Sequence, residues 1–187
     1  MTSLTTIRPE ESDGLPPAAR RMAMLTITIA IALAVMATVI ANIALPTMMR
    51  ELGTNPAAAT WVVNAYELSV TISLLPLAAL GDIIGYRRIY LGGLAMFTLA
   101  SLACGSADSL PLLVAARVTQ GFGAAGIMSV NTALVRFIFP RNQLGRGIGT
   151  TALVVATSSA AGPSVAAVIL AFASWHWLFL FNVPLGV

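Results

Sequence analysis

Residues 22–45 carry no charge, and comparable apolar runs recur at 61–80, 89–106, 111–135 and 148–172. A helix needs roughly 20 consecutive apolar residues to cross the hydrocarbon of a bilayer, and each run supplies about that many. The predicted fold class is therefore all-α, a polytopic transmembrane helix bundle. A further apolar run, 177–187, has only 11 residues. At about 1.5 Å per residue it covers roughly half of a ~30 Å hydrocarbon core. The expectation is a sixth helix cut short, in a chain that is a fragment or a truncated product.

Composition excludes the soluble alternative. Hydrophobic residues make up 58% and charged residues 9%, where a globular domain carries about a quarter charged. The net charge of +3 comes from ten arginines with no lysine. They lie between the apolar runs rather than in an aromatic-rich basic patch, so a nucleic-acid partner is not expected. Cys104 is the single cysteine and lies within an apolar run. It offers no disulfide pairing and no metal-ligand spacing. No Ser/His/Asp set, paired catalytic acids or metal cluster is present, so neither an enzyme nor a cofactor is expected.

Residues 1–21 read as a disordered cytoplasmic tail, polar at first, with Glu10, Glu11, Asp13 and the pair Pro16 and Pro17, and ending on Arg20 and Arg21. The apolar run that follows is too long for a signal peptide. Arg8, Arg20, Arg21, Arg87, Arg88, Arg136, Arg141 and Arg146 fall on one side of the predicted spans, and Arg50 alone on the other. Basic residues near span ends stay in the cytoplasm, which places the amino terminus inside. Trp61, Trp175 and Trp177 fall at the opposite ends of spans, where indole rings favour the interface. His176, between two of them, is read as an interface residue.

Two ionisable side chains, Glu67 and Arg117, lie within predicted spans. A charge there costs about 2.5–3.5 kcal/mol or more, which makes both candidates for a proton or substrate pathway. A carboxyl at that depth could carry protons; the alternative is a carboxylate near the interface beside Tyr66. Gln120 and Asn131, in the same span as Arg117, are amides that need partners inside the bundle. Gly121, Gly123 and Gly126 allow close helix packing or a bend. Gly162 and Pro163 mark a kink in the fifth span. Asp82, Gly85, Arg87 and Arg88 make a short charged turn after the second; it lacks the preceding strand and glycine spacing of a dinucleotide site.

Together these stretches resemble the major facilitator superfamily, and within it the drug:proton antiporter branch with fourteen spans. The resemblance covers about 22–187 and rests on ANIALP (41–46), LGDIIGYRR (80–88), RVTQGFGAA (117–125), AGPSVAA (161–167) and WHWLFLFNVPLG (175–186). It implies an amino-terminal six-helix half with an inverted 3+3 repeat. It assigns Asp82, Gly85, Arg87 and Arg88 to the superfamily's signature loop, Arg117 to a motif linked to proton transfer, and Gly162 and Pro163 to the antiporter motif. It also implies efflux of lipophilic or cationic compounds across the inner membrane in exchange for protons. The sequence departs from the pattern at Ala37, where the branch usually carries an acid, and Glu67 is the candidate substitute. Other departures are Ala78, Ile83, Ala166 and Ala167. The rival expectation is a half-transporter without transport activity of its own, which would need a carboxy-terminal half or another chain.

Overall fold

The structure is a computed structural model and describes residues 14–186. Every regular element among the described residues is helical: α1 (Pro17–Glu51), α2 (Pro56–Ala59), α3 (Trp61–Ile84), α4 (Tyr86–Gly105), α5 (Leu110–Ile138), a 3-10 turn (Arg141–Gln143), α6 (Leu144–Phe172), α7 (Trp177–Leu180) and α8 (Asn182–Gly186). Among the described residues, five helices are long and apolar enough to cross a membrane, and Trp177–Gly186 is a shorter apolar stretch. The chain is an all-α transmembrane helix bundle.

Helix ends differ from the apolar boundaries because a membrane helix continues until its backbone is capped, not until polarity changes. α1 starts at Pro17, so residues 17–21 of the predicted tail are helical; residues 1–13 lie outside the described residues. Proline is tolerated in a first turn, where its missing N–H has no intrahelical acceptor. At the far end α1 runs through Pro46 to Glu51. There the Leu52 N–H donates to Met48 O, and Gly53 turns the chain at φ 59°. The predicted connection 46–60 is thus largely helical. It includes α2, whose first turn is capped by the Asn55 side chain accepting from Ala58 N at 2.8 Å.

Small residues set the packing. α5 lies between α3 and α4. A Cβ added at Gly121 would sit 2.6 Å from Tyr66 O on α3, and one at Gly126 would sit 2.9 Å from Gly93 Cα on α4. α1 lies along α6: Ala37, Ala41 and Ala44 are buried on one helix, Gly162 and Ala166 on the other, and a Cβ at Gly162 would sit 2.7 Å from Val39 Cγ1. Pairing the second span with the fourth and the first with the fifth is what an inverted 3+3 repeat produces, since exchanging spans 1–3 with 4–6 converts one pair into the other. Without a hydrophobic drive between helices in lipid, close backbone approach of this kind supplies the dispersion contacts.

Large apolar side chains cover the outside. Leu75 is 78% exposed and Phe172 is 89% exposed, which suits lipid contact and not water. Of the three tryptophans predicted at the interface, Trp61 and Trp177 are exposed but Trp175 is fully buried. Its Nε1 donates to Glu51 Oε2 at 2.8 Å, and its ring stacks on His176 at 3.7 Å between centroids. A carboxylate at the end of α1 gives the indole N–H a protein partner, so the ring need not stay at the headgroups.

A buried arginine beside a carboxylate-lined cavity

Arg117 is fully buried on α5. Its Nε donates to Val62 O on α3 at 2.9 Å, and Nη1 donates to Gln120 Oε1 at 2.6 Å. The guanidinium lies over the Tyr66 ring at 4.1 Å and near the Phe179 ring at 5.7 Å. Gln120 is fixed in turn: Nε2 donates to Ser101 Oγ on α4 at 2.7 Å, and that hydroxyl donates to Phe97 O. The spacing of Arg117 and Gln120, three residues apart on one helix face, places the two side chains together. Every hydrogen-bond partner of Arg117 among the described residues is neutral, and its Nη2 is buried without a partner. Such a cation is held by ring quadrupoles and carbonyl dipoles rather than by an ion pair.

Glu67 follows Tyr66 on α3, about 100° further round the helix. It is exposed and lines a cavity of about 360 Å³ with Thr38 and Val39 of α1, Thr71 of α3, Met128 of α5 and Ser159 of α6. Tyr66 lines the same cavity, and its hydroxyl donates to Ala34 O at 2.8 Å. Arg117 is not among the lining residues. Arg117 thus points into the bundle beside α3 and does not line this cavity: the Tyr66 ring lies beneath its guanidinium and forms part of the cavity wall. No ion pair joins Glu67 and Arg117 among the described residues. Ala37, at the position usually acidic, is buried in the α1 core.

The remaining predicted residues lie elsewhere. Asn131 is half-buried, with Oδ1 unpartnered; it is fourteen residues beyond Arg117, about 21 Å along the helix. The turn between α3 and α4 is made at Gly85, with φ 99°, a conformation that L side chains rarely adopt. The Tyr86 hydroxyl donates to Asp82 across it. Arg87 and Arg88 are exposed, and Arg88 lines a separate cavity with Leu77, Met96 and Phe122. Gly162 is the close contact of α6 with α1, and Pro163 faces outward. Sequence reasoning missed Tyr66 as the platform for Arg117 and Ser101 as the end of its network. A tyrosine next to an intramembrane acid, and a hydroxyl in an otherwise apolar span, were the available signals.

The model of the Major Facilitator Superfamily matches residues 27–187. The chain is 56% identical over 177 residues to the uncharacterized transporter YebQ of Escherichia coli (strain K12), covering 95% of this chain and 39% of that protein. It is 36% identical over 148 residues to the riboflavin transporter RibZ of Clostridioides difficile (strain 630), covering 79% of this chain and 32% of that protein. It is 39% identical over 150 residues to the putative multidrug resistance protein MdtD of Salmonella typhi, covering 80% and 32%. The chain thus spans between about a third and two fifths of the length of these relatives. The helical bundle, the matched model and these relatives agree: the chain belongs to the major facilitator superfamily.

Proposed function

We propose that this chain forms one half of a secondary active transporter that exports lipophilic, cationic compounds in exchange for protons. The observation that carries this reading is Glu67, the one carboxylate within a predicted span, standing exposed in a cavity between α1, α3, α5 and α6. A carboxylate flanked by Val35, Val39, Val70 and Met128, with Thr38, Thr71 and Ser159 beside it, favours a lipophilic cation, and competition between that cation and a proton for one carboxyl would couple the two flows. The cavity's volume of about 360 Å³ is at the lower end of small-molecule sites, about 300–1,000 Å³. In transporters of this architecture the site lies between two rocking halves. The second half would come from further sequence or from another chain. The relative named as a multidrug resistance protein supports the drug-export reading.

The test is export of ethidium from cells lacking their own efflux pumps, with residues 1–187 joined to a second six-helix half. Glu67→Gln is expected to lower proton-dependent export at least tenfold, with a smaller effect on uncharged dyes. Unchanged ethidium export in Glu67→Gln, or an equal loss of export for ethidium and for uncharged dyes, would overturn the assignment.

The same reading places the protein in the inner membrane with its amino terminus in the cytoplasm. The eight-to-one division of arginines supports this orientation. Cysteines introduced at Ala57 and Asn142 sit at exposed positions, while Cys104 is buried. A membrane-impermeant maleimide added to whole cells is expected to label residue 57 and not residue 142. The reverse pattern would invert the topology.

A further inference from the structure

A third cavity lies at the end of the bundle where α1 and α6 begin. It has a volume of about 290 Å³ and is lined by Pro17, Arg20, Arg21 and Met24 of α1, Phe139, and Gln143 and Arg146 beside the start of α6. Three arginines line this space, and among the described residues no carboxylate does. Arg20 is held in place: Nη1 donates to Gln143 Oε1 at 3.0 Å, Nη2 donates to Leu15 O at 3.0 Å, and its guanidinium lies 5.6 Å from the Phe139 ring centroid. Its Nε is buried and unpartnered. Arg21 and Arg146 are exposed and have no hydrogen bond or ion pair among the described residues. Like charges gathered in one recess repel unless an anion lies between them.

We propose that this cavity binds the phosphate-bearing headgroup of an anionic phospholipid. Two features favour a lipid over a free anion. The cavity sits at the junction between polar chain and uncharged span in both α1 and α6, which is headgroup depth whichever leaflet it faces. Its walls also continue into apolar surface: Met24, Phe139 and Pro17 line it, while Met22 and Leu25, on the same stretch of α1, are 68% and 56% exposed. Acyl chains would lie on that surface. Basic recesses between membrane helices are suited to such headgroups, with each arginine near the surface contributing about 1 kcal/mol.

Native mass spectrometry of the purified chain in nonionic detergent tests this, titrating phosphatidylglycerol against phosphatidylcholine with matched acyl chains. Phosphatidylglycerol is expected to bind preferentially. Arg21→Gln with Arg146→Gln should weaken it about thirtyfold, the equivalent of two surface arginines. Arg50→Gln with Arg136→Gln removes the same charge from exposed positions outside the cavity and should change affinity less than threefold. Equal loss in the two double variants, equal binding of the two lipids, or displacement of phosphatidylglycerol by millimolar inorganic phosphate would each overturn the assignment.

Discussion

Gly123→Ala is expected to destroy the folded bundle. A Cβ at this position would approach Phe97 N on α4, and it would lie 2.7 Å from Phe97 Cα and 2.8 Å from Gly93 O. These are backbone atoms inside a helix, so no side chain can rotate away. α4 and α5 would have to separate along the contact that also buries Phe97, Ala124 and Ile127. Ordinary overpacking costs about 1–3 kcal/mol, and a clash with fixed backbone should reach or exceed the upper value. Gly149→Ala is the matched control, since nothing lies within 4 Å of a Cβ there. In a helix that exchange gains up to about 1 kcal/mol. Thermal melts of detergent-solubilised protein should show Gly149→Ala at or above the parent and little folded Gly123→Ala. Equal melts for parent and Gly123→Ala would show that the α4–α5 approach is not what holds the bundle.

Arg117 yields the second large effect, in function rather than in stability. The guanidinium donates to Val62 O and Gln120 Oε1 while lying over Tyr66. Lysine offers one compact ammonium and cannot form this fork and stack together. Arg117→Lys and Arg117→Met should therefore both lower proton-dependent export by on the order of a hundredfold, about 2.7 kcal/mol in rate. Stability should separate the two. Replacing a buried charge with an apolar group of similar length removes its desolvation cost, which is often neutral or stabilising. Losing the donor to Gln120 Oε1 costs about 1–3 kcal/mol in the other direction. Arg117→Met should therefore melt within about 2 kcal/mol of the parent. A Met variant that exports normally would show that the arginine is not needed in the transport cycle, and one that fails to fold would show that it serves the packing.

Much of this architecture was legible without coordinates. Five of the apolar runs are five long helices, because each backbone polar group in hydrocarbon must be satisfied within its own segment. Arg117 and Gln120 were identifiable as interior groups for the same energetic reason: facing lipid would cost each of them several kcal/mol. The glycines of α5 pointed to close packing. Their spacing did not say that Gly121 meets α3 while Gly123 and Gly126 meet α4.

The sequence by itself determined the class of fold, the number of long helices and which polar groups must turn inward, because these follow from the cost of exposing charges and peptide groups to lipid. Tertiary structure alone decided which of those groups meet. It placed Tyr66 under Arg117 and Glu67 on a cavity that the arginine does not reach. It buried Trp175 against Glu51 across 124 residues, and it brought Arg20, Arg21 and Arg146 around one recess. The physical reason is that helix periodicity fixes where a side chain points around its own axis, whereas its neighbour depends on the rotation and separation of a second helix. Those are set by glycine and alanine contacts summed along whole interfaces.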